Sequence, residues 1–272
     1  MKNLNEELYF LKERLEKEQA EEEAQAKKIS LEHEKTLTKK DEEVVLEKRE
    51  KTSTKKLGGG ANETVFVELK DDGSAIFKPK AGEYALLRTE VKAGTYYKRE
   101  RAAYLVDQFL GFDLVPPTVI RKIDGKEGSL QEFIPNAPVA SRCDESQWNK
   151  EELKKLWVFD YIIYNSDRHG SNLLIKDEKV YAIDNGLSFG KDSLGLFGGF
   201  SNEPIGDGVA EKIKMFLSWK QGRQALRNLL CELIEEKEAD ACLHRIEKVG
   251  KMTKGEAVNV VNREKFSFNP LD

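Results

Sequence analysis

The stretch "NSDRHGSNLLIKDEKVYAIDNG", residues 165–186, places oxygen-bearing side chains around a short apolar hairpin. Its segments "LLI" and "VYAI" predict two strands that pair around the turn "KDEK". Counting outward from that turn sets Asn172 almost opposite Ile183, so Asp184 lies at the same end of the hairpin. One neutral and one anionic oxygen ligand suit Mg²⁺ that is bound partly through substrate phosphates. Asp167, a few residues upstream, is left to orient an acceptor hydroxyl.

The spacing of these residues is similar to that of the protein-kinase catalytic loop HRDxxxxN, although here Arg168 and His169 follow the aspartate. "DNG" occupies the place of the kinase motif DFG. Upstream, "VFVELKDDGSAIFKP" predicts a β-hairpin whose second strand ends in Lys78, directly before Pro79. Protein kinases carry their phosphate-binding lysine on such a strand. Lys80 is the alternative if Lys78 is not that residue.

Two further features have both a functional and a structural interpretation. The glycines at 58–60, including Gly59 and Gly60, permit backbone N–H groups to surround a phosphate. A glycine triplet at a domain boundary is also typical of a flexible hinge, and neither a Walker A pattern nor GxGxxG is present. Glu100 lies in the first turns of the helix predicted for "YYKRERAAYLVDQFLGF". It either holds Lys78 by an ion pair or is one more solvated charge.

The elements that must position these residues can be predicted from the pattern. "VPPTVIRKIDGKEGSLQEFIP" indicates two strands, and it ends in Gln131, Glu132 and Phe133, where a kinase places the hinge that binds adenine through its backbone. "NKEELKKLWVFDYIIYNSD" indicates a helix with Glu151 and Glu152 in its first turn. Three later segments show helical spacing: "VAEKIKMFLSWK", "QALRNLLCELIEEKEADACLHRIEKVG" and "GEAVNVVNREKF".

The remaining polar residues of the loop have structural interpretations. Arg168, which we include among the catalytic candidates, either touches phosphate or forms a salt bridge with Asp160 or Asp167. We favour the internal salt bridge, because a loop beside a charged site usually needs such ties. His169 has no second zinc ligand at a suitable spacing, so we expect it to brace the loop. Asn165 is expected to tie the loop backbone.

Composition excludes several classes of function. The chain has 272 residues, 39% hydrophobic and 35% charged, which is typical of a soluble protein with one or two cores. A net charge of −4 gives no basic field for nucleic acid. No apolar run is long enough to span a membrane, and no secretory h-region is present, so we expect a cytoplasmic protein. Its three cysteines, at positions 143, 231 and 242, predict buried thiols, not a disulfide or zinc framework.

Composition changes near residue 57 and predicts two regions. Residues 1–56 are rich in interleaved Lys and Glu, and four leucines near the start have coiled-coil spacing. This arm is either a solvated helix, in part disordered, or a coiled coil through which the protein self-associates. Residues 57–272 form the catalytic domain, with an N-lobe at about 57–135 and a C-lobe at about 136–272. We expect removal of residues 1–50 to leave this domain folded.

The segment "GKDSLGLFGGFSNEPIGDG", residues 190–208, is rich in Gly and Ser and occupies the place of an activation or substrate loop. Leu196, Phe197 and Phe200 could contact a bilayer or a partner protein, or could fold onto the C-lobe core. The flanking Lys191, Glu203 and Asp207 give little attraction to anionic lipid, so we expect membrane contact to be peripheral at most.

The motifs "FKP", "VPPTV", "LQEFIP", "NSDRHGSN" and "AIDNGLSF", in this order, resemble those of the phosphatidylinositol 3- and 4-kinase superfamily. The type II 4-kinases and actin-fragmin kinase are most similar, with secretory-pathway protein kinases also similar and HipA-type kinases more distant. The resemblance covers about residues 57–200. It implies that Lys78 binds phosphate, Glu100 is its ion-pair partner, and Asp167 is the catalytic carboxylate. It also implies that Asn172 and Asp184 are the metal ligands and that residues 131–133 are the hinge.

We therefore expect an α+β, bilobal protein-kinase-like fold with a β-rich N-lobe and a mainly helical C-lobe. The expected reaction transfers the γ-phosphoryl group of ATP to a hydroxyl with the help of Mg²⁺. We place a protein Ser/Thr acceptor, including the chain's own "TSTKK", ahead of an inositol lipid. A pseudokinase scaffold and an AMP transferase are the further alternatives.

Overall fold

The computed structural model describes residue 17 and residues 41–58, 62–84, 91–144, 148–190 and 205–251. Several predicted features lie outside these residues. They are the leucine pattern near the N-terminus, Gly59 and Gly60, most of the 190–208 loop with its three large apolar residues, and the helix predicted at 255–266.

A five-stranded antiparallel sheet forms the N-terminal part of the described chain. Its order is β1 (Lys51–Leu57), β2 (Thr64–Leu69), β3 (Gly73–Pro79), β5 (Lys126–Glu132) and β4 (Thr118–Ile123). The two predicted hairpins, β2–β3 and β4–β5, are both present. The first turn has three residues, 70–72, and in it Asp71 and Asp72 have φ of 58° and 57°, in the left-handed region that Asp tolerates better than most residues.

Helix α1 (Asp41–Lys48) and strand β1 precede the predicted domain boundary but belong to the same compact unit as the rest of the described chain. Leu46 is 4% exposed and lies in the core beneath the sheet, and β1 pairs with β2 along its length. The compact unit thus begins at Asp41, upstream of the change in composition near residue 57. Because most side chains of α1 and β1 are charged or exposed, composition alone does not distinguish them from the arm.

Helix α2 (Tyr96–Leu110) connects the sheet to the helical part of the fold. It ends at Gly111, as predicted, where φ is 65°. Its apolar residues lie in the core of the C-terminal helices, and Phe109 stacks on Trp219 at 5.7 Å between ring centroids. The helix is therefore packed on the C-terminal part while its first turns face the sheet.

The C-terminal part is mainly helical, so the fold is α+β as expected. Helix α3 (Lys150–Ile163) begins at Asn149, whose side chain accepts hydrogen bonds from the amides of Glu151 and Glu152. The small hairpin β6 (Leu173–Lys176) and β7 (Lys179–Ala182) follows, then α4 (Asp207–Ser218), α5 (Lys220–Leu233) and α6 (Glu236–Gly250). The segment at 224–250, which shows helical spacing in the sequence, thus belongs to two helices. The break at Glu235 is fixed by a capping box between Glu235 and Glu238.

All three cysteines are free, as expected. Cys242 is fully buried, and burial raises the pKa of its thiol to about 11, whereas Cys143 and Cys231 are half-buried. No helix within the described part of the chain is sufficiently long and apolar to span a bilayer.

Candidate active site

Lys78 lies in the cleft between the sheet and the helices. Strand β3 carries it, and its Nζ donates to Glu100 Oε1 at 2.5 Å and to Asp184 Oδ1 at 2.7 Å. The Glu100 carboxylate comes from the second turn of α2, and Asp184 follows β7. The structure thus brings together three of the predicted site residues. Lys80, the alternative lysine, is exposed on a short 3₁₀ turn and makes no ion pair among the described residues.

The close contact between Lys78 and Asp184 favours the charged form of both side chains. Burial alone lowers the pKa of Lys78, but the Asp184 and Glu100 carboxylates outweigh burial and raise the pKa above its ordinary value. In turn, the Lys78 ammonium holds the pKa of Asp184 below its usual range, against the effect of burial. At neutral pH the site therefore holds the Lys78 ammonium group beside the ionised carboxylate of Asp184.

Glu100 also ties helix α2 to the segment that follows Asp184. It is 2% exposed, and its Oε2 accepts a hydrogen bond from the Asn185 amide at 2.9 Å. The next residue is Gly186, where an added Cβ would lie 3.1 Å from the Tyr96 Cβ. The absence of a side chain in the third residue of "DNG" therefore lets the helix approach this segment closely.

The hairpin end forms as the sequence predicts. The Ile183 amide donates to the Asn172 carbonyl at 3.1 Å, one pair beyond the β6–β7 ladder. Asp184 then turns the chain with φ of 58°, in the left-handed region that Asp tolerates better than most residues. The side-chain amide of Asn172 donates to the Asp167 carbonyl at 2.9 Å. The side-chain nitrogen of Asn172 is thus used as a donor, and its side-chain oxygen is the atom that can act as an acceptor.

The donors present here fit Mg²⁺. Asp184 supplies a carboxylate whose side chain is 49% exposed, and Asn172 supplies an amide oxygen at the same hairpin end. Such oxygen ligands are those of hard divalent cations. In the described ranges, no group of three or more His, Cys, Asp or Glu side chains is arranged to hold a metal. A Mg²⁺ ion would therefore need further oxygens from substrate phosphates or water, as Mg²⁺ commonly does.

The loop that carries Asp167 is tied to the segment after Asp184. Asn165 is fully buried, its Oδ1 accepts from the Asp167 amide at 2.9 Å, and its Nδ2 donates to Asn185 Oδ1 at 3.4 Å. His169 is exposed, and its Nδ1 accepts from the Ser171 amide. The predicted bracing by Asn165 and His169 is thus present in the geometry.

Arg168 is a positioning residue in this structure and does not face the cleft. Its side chain is fully buried and makes a bidentate ion pair with Asp160 on α3, at 2.9 and 3.0 Å. It also donates to the carbonyls of Asn172 and Ile183, at 2.8 and 2.7 Å, and to Asn185 Oδ1 at 2.6 Å. These contacts use all three guanidinium nitrogens and include the internal salt bridge favoured from the sequence, whereas a catalytic role for Arg168 stays a prediction.

The predicted hinge residues, 131–133, lie at the end of β5, and their backbone is more fully paired than the sequence suggests. The amide of Glu132 donates to the Pro117 carbonyl at 2.8 Å, and the amide of Phe133 donates to the Ser74 carbonyl at 3.1 Å. The Gln131 side chain is buried. Because backbone hydrogen bonds to neighbouring segments continue through Phe133, the amides of residues 132 and 133 are not available to adenine.

An apolar surface borders Lys78 on the same face of the sheet. Phe66 lies directly opposite Ile76, which is two residues before Lys78 on β3. The ring of Phe133 meets Phe66 edge to face at 5.1 Å. All three apolar side chains are half-buried. Such a surface beside a charged group is suited to a planar aromatic base.

A cavity of about 430 Å³ lies at Lys78, and Phe66 and Ile76 are not among the residues that line it. Five of the predicted site residues line it: Lys78, Glu100, Asp167, Asn172 and Asp184. The start of β2 and the first turn of α2 complete its walls. Gln131, Glu132, Phe133 and Arg168 are not among its lining residues. A second cavity of about 490 Å³, beside the β6–β7 turn, contains none of the predicted residues.

This chain has a kinase-like fold, as its structural neighbours show. It matches the crystal structure of the Golgi casein kinase with Mn/ADP bound with a TM-score of 0.51, at 18% identity, covering 77% of this chain and 74% of that one. It matches the structure of hydra Fam20 with sugar with a TM-score of 0.50, at 16% identity, covering 76% and 86% of the two chains. The bilobal kinase-like expectation is confirmed.

Residues 83–204 match the family described as phosphatidylinositol 3- and 4-kinase, which confirms the resemblance of the motifs. Protein Rv2133c of Mycobacterium tuberculosis is 26% identical over 214 residues, 64% of this chain and 76% of that protein. Phosphatidylinositol 4-kinase gamma 7 of Arabidopsis thaliana is 31% identical over 144 residues, 45% of this chain. The match spans only 20% of that plant protein. The relationship to the plant kinases is thus distant and limited to one region.

Several residues that position the site were missed by sequence reasoning. Asn185 is fully buried and joins Glu100, Arg168 and Asn165 through hydrogen bonds. Its place directly after Asp184 was a signal that could have been used, since an amide there supplies both donors and an acceptor. Glu238, the ion-pair partner of Arg99 on helix α2, gave no such signal, because the two residues are 139 positions apart along the chain.

Proposed function

We propose that this chain is an ATP- and Mg²⁺-dependent phosphotransferase that transfers the γ-phosphoryl group to a hydroxyl. The observation that carries the proposal is the bridge from Lys78 to both Glu100 and Asp184, in one cavity with Asp167 and Asn172. A family match over residues 83–204 and a kinase-like fold support it.

Each residue has a distinct role in this proposal. Lys78 is a cation held by Glu100 and aimed into the cavity, where it would bind the phosphates of the nucleotide. Asp167 would accept the proton of the acceptor hydroxyl as that oxygen attacks phosphorus. Asn172 and Asp184 would hold Mg²⁺, which supplies charge neutralisation at the phosphates when it is bound. The apolar surface of Phe66 and Ile76 would contact the base.

The acceptor is proposed to be a protein Ser/Thr hydroxyl, including one on the chain itself, ahead of an inositol lipid. Stable membrane anchoring needs two signals, and the sequence has no cysteine cluster and no strong basic patch beside "LGLFGGF". The inositol-lipid alternative is favoured by a different observation, the similarity to plant proteins named phosphatidylinositol 4-kinases. A cytoplasmic location and self-association through residues 1–56 stay predictions.

The reaction type can be tested by intact-mass measurement after incubation with Mg²⁺ and ATP in the presence of a protein mixture. A gain of one phosphate on the chain or on an added protein is the expected result. A gain of one AMP would show nucleotidyl transfer instead. No change in any protein, with no lipid labelled either, would indicate a pseudokinase.

The acceptor class is tested by offering labelled ATP with phosphatidylinositol vesicles and, separately, with the protein mixture. We expect labelled protein in the second reaction and little labelled lipid in the first. Efficient labelling of inositol lipid with no labelled protein, the chain itself included, would reverse the order of the two acceptors.

A further inference from the structure

Helix α2 carries a run of four charged residues, 98–101, the last three of which are Arg99, Glu100 and Arg101. Successive residues of an α-helix point about 100° apart, so these side chains leave the helix in three directions. Glu100 reaches Lys78 in the cavity. Arg101 reaches Glu43 of α1 at 2.7 Å. Arg99 points toward the C-terminal helices and is 3% exposed.

Arg99 joins three parts of the fold with its guanidinium group. Its Nη2 donates to both carboxylate oxygens of Glu238 on α6, at 2.8 and 3.1 Å. Its Nη1 donates to the carbonyl of Ser188, four residues after Asp184, at 2.6 Å. Its Nε donates to Thr95 Oγ1 at the start of α2. One side chain therefore links α2, α6 and the segment that carries the predicted metal ligand.

Glu238 is itself held rigidly. It is 5% exposed and lies in the first turn of α6, where the helix dipole favours a carboxylate. Its Oε2 accepts a hydrogen bond from the Glu235 amide at 3.1 Å. The carboxylate is therefore held in place on its own helix independently of its contact with Arg99. The pair with Arg99 is charge-assisted and buried, so the position of the carboxylate constrains the guanidinium group and the helix that carries it.

We propose that Glu238 is a positioning residue for phosphoryl transfer. Through Arg99 it holds α2 against the segment that follows Asp184, so that Glu100 meets Lys78 and the Asn185 amide. The catalytic consequence rests on the proposed function. Helix α6 lies outside residues 83–204, so this role extends the functional unit beyond the part that matches the family.

The first test measures hydrogen exchange and does not depend on activity. Glu238→Gln retains an oxygen that can accept from the Glu235 amide but removes the charge that pairs with the buried Arg99. We expect faster exchange in residues 96–110 and 184–189 of this variant. Asp240→Asn is the matched control, because Asp240 is on the same helix but its ion pair with Arg227 is exposed. It should leave exchange in both segments unchanged.

The second test measures turnover in a double-mutant cycle. Glu238→Gln should lower kcat/KM on the order of tenfold or more, since a small displacement of a catalytic group has effects of that size. In the Glu100→Ala background the same change should have little further effect, because the contact that Glu238 positions is already absent. A purely structural role would instead give a similar loss in both backgrounds.

The two tests separate failure of this inference from failure of the proposed function. If the wild-type protein has no transferase activity but Glu238→Gln still exchanges faster in the two segments, the result would support the mechanical link and reject the kinase proposal. An active enzyme in which Glu238→Gln behaves like Asp240→Asn in exchange and in turnover would reject the link. If Glu238→Gln does not fold, Glu238→Asp retains the charge but withdraws it from Arg99, and the same measurements and outcomes apply.

Discussion

At the scale of single residues, Asp184 is the predicted metal ligand whose side chain is most accessible. Asp184→Asn removes one negative charge with little change in size, and because the side chain is 49% exposed we expect the fold to remain intact. Turnover should fall at least about a hundredfold, because the ion that Asp184 holds neutralises the transferring phosphoryl group. Circular dichroism and ATP turnover check both parts. Near-normal turnover would contradict the assignment.

Lys78 is expected to act as the preorganised cation of the site. Lys78→Ala should lower turnover by on the order of a hundredfold or more, since a charge aimed at the phosphates is lost. Lys80→Ala is the matched control on an exposed lysine two positions away, and it should leave turnover unchanged. Measured rates showing the reverse pattern would move the role to Lys80.

The buried carboxyl group of Asp107, on helix α2, should make the free energy of unfolding depend on pH. Burial raises its pKa to about 7, although the amides of Leu114 and Val115 donate to it and act in the opposite direction. An unfolded Asp has a pKa of about 3.9. The folded state therefore binds the proton more tightly, and stability from this group should fall as pH rises from about 4 to about 7.

Asp107→Asn is the variant that isolates this effect, since it keeps an acceptor for the Leu114 amide but does not ionise. Urea unfolding across this pH range should show a decline in the wild type, on the order of a few kcal/mol, that is absent from the variant. Identical pH profiles for the two proteins would show that Asp107 ionises normally in the folded state.

At the scale of elements, Gly128 is required where β5 passes Lys78. A Cβ at this position would lie 2.3 Å from the Lys78 carbonyl oxygen and 2.7 Å from the Phe77 ring. Gly128→Ala must therefore push β5 away from β3. We expect a loss of roughly 2 kcal/mol or more in the free energy of unfolding, together with reduced turnover.

Gly208→Ala is a suitable control for that change, because an added Cβ at residue 208 meets no atom within 4 Å. Gly208 lies in the first turn of α4, and its substitution should alter stability by less than about 0.5 kcal/mol. Urea denaturation of both variants makes the comparison. Equal stabilities would show that the sheet accommodates a side chain beside Lys78.

At the scale of the whole molecule, helix α1 bears on the expectation that removal of residues 1–50 leaves the domain folded. Helix α1 contributes Leu46 to the core of the sheet, and Glu43 accepts hydrogen bonds from Arg101 and Tyr104 of α2. Removal of residues 1–40 should leave the free energy of unfolding nearly unchanged. Removal of residues 1–50 should lower it by roughly 2–4 kcal/mol, since a buried leucine and the partner of Arg101 are lost.

Point variants check this prediction without truncation. Leu46→Ala should reproduce most of the loss, whereas Val45→Ala, at a neighbouring position that is 37% exposed, should have little effect. Thermal and urea unfolding are the measurements. If a chain that lacks residues 1–50 has the same free energy of unfolding as the full chain, α1 adds no stability.

Much of the site is determined by short stretches of sequence. The offset between Asp167 and Asn172, the hairpin that sets Ile183 beside Asn172, and the strand that ends in Lys78 all depend on neighbours a few positions away. Turn propensity and the two-residue period of a strand act over such windows, so the sequence predicts these features. The same holds for the end of helix α2 at Gly111.

Tertiary structure alone decided which distant charges meet. Arg99 and Arg101 resemble solvated charges in the sequence, yet each is paired with a carboxylate on another element, Glu238 and Glu43. The sequence left both Asp160 and Asp167 open as salt-bridge partners of Arg168, and in the structure Arg168 pairs with Asp160. Backbone hydrogen bonding of the amides at 132 and 133 also depends on where distant strands end. These outcomes follow from packing between elements far apart in the chain, where burial makes an unpaired charge costly, and no local pattern encodes the partner.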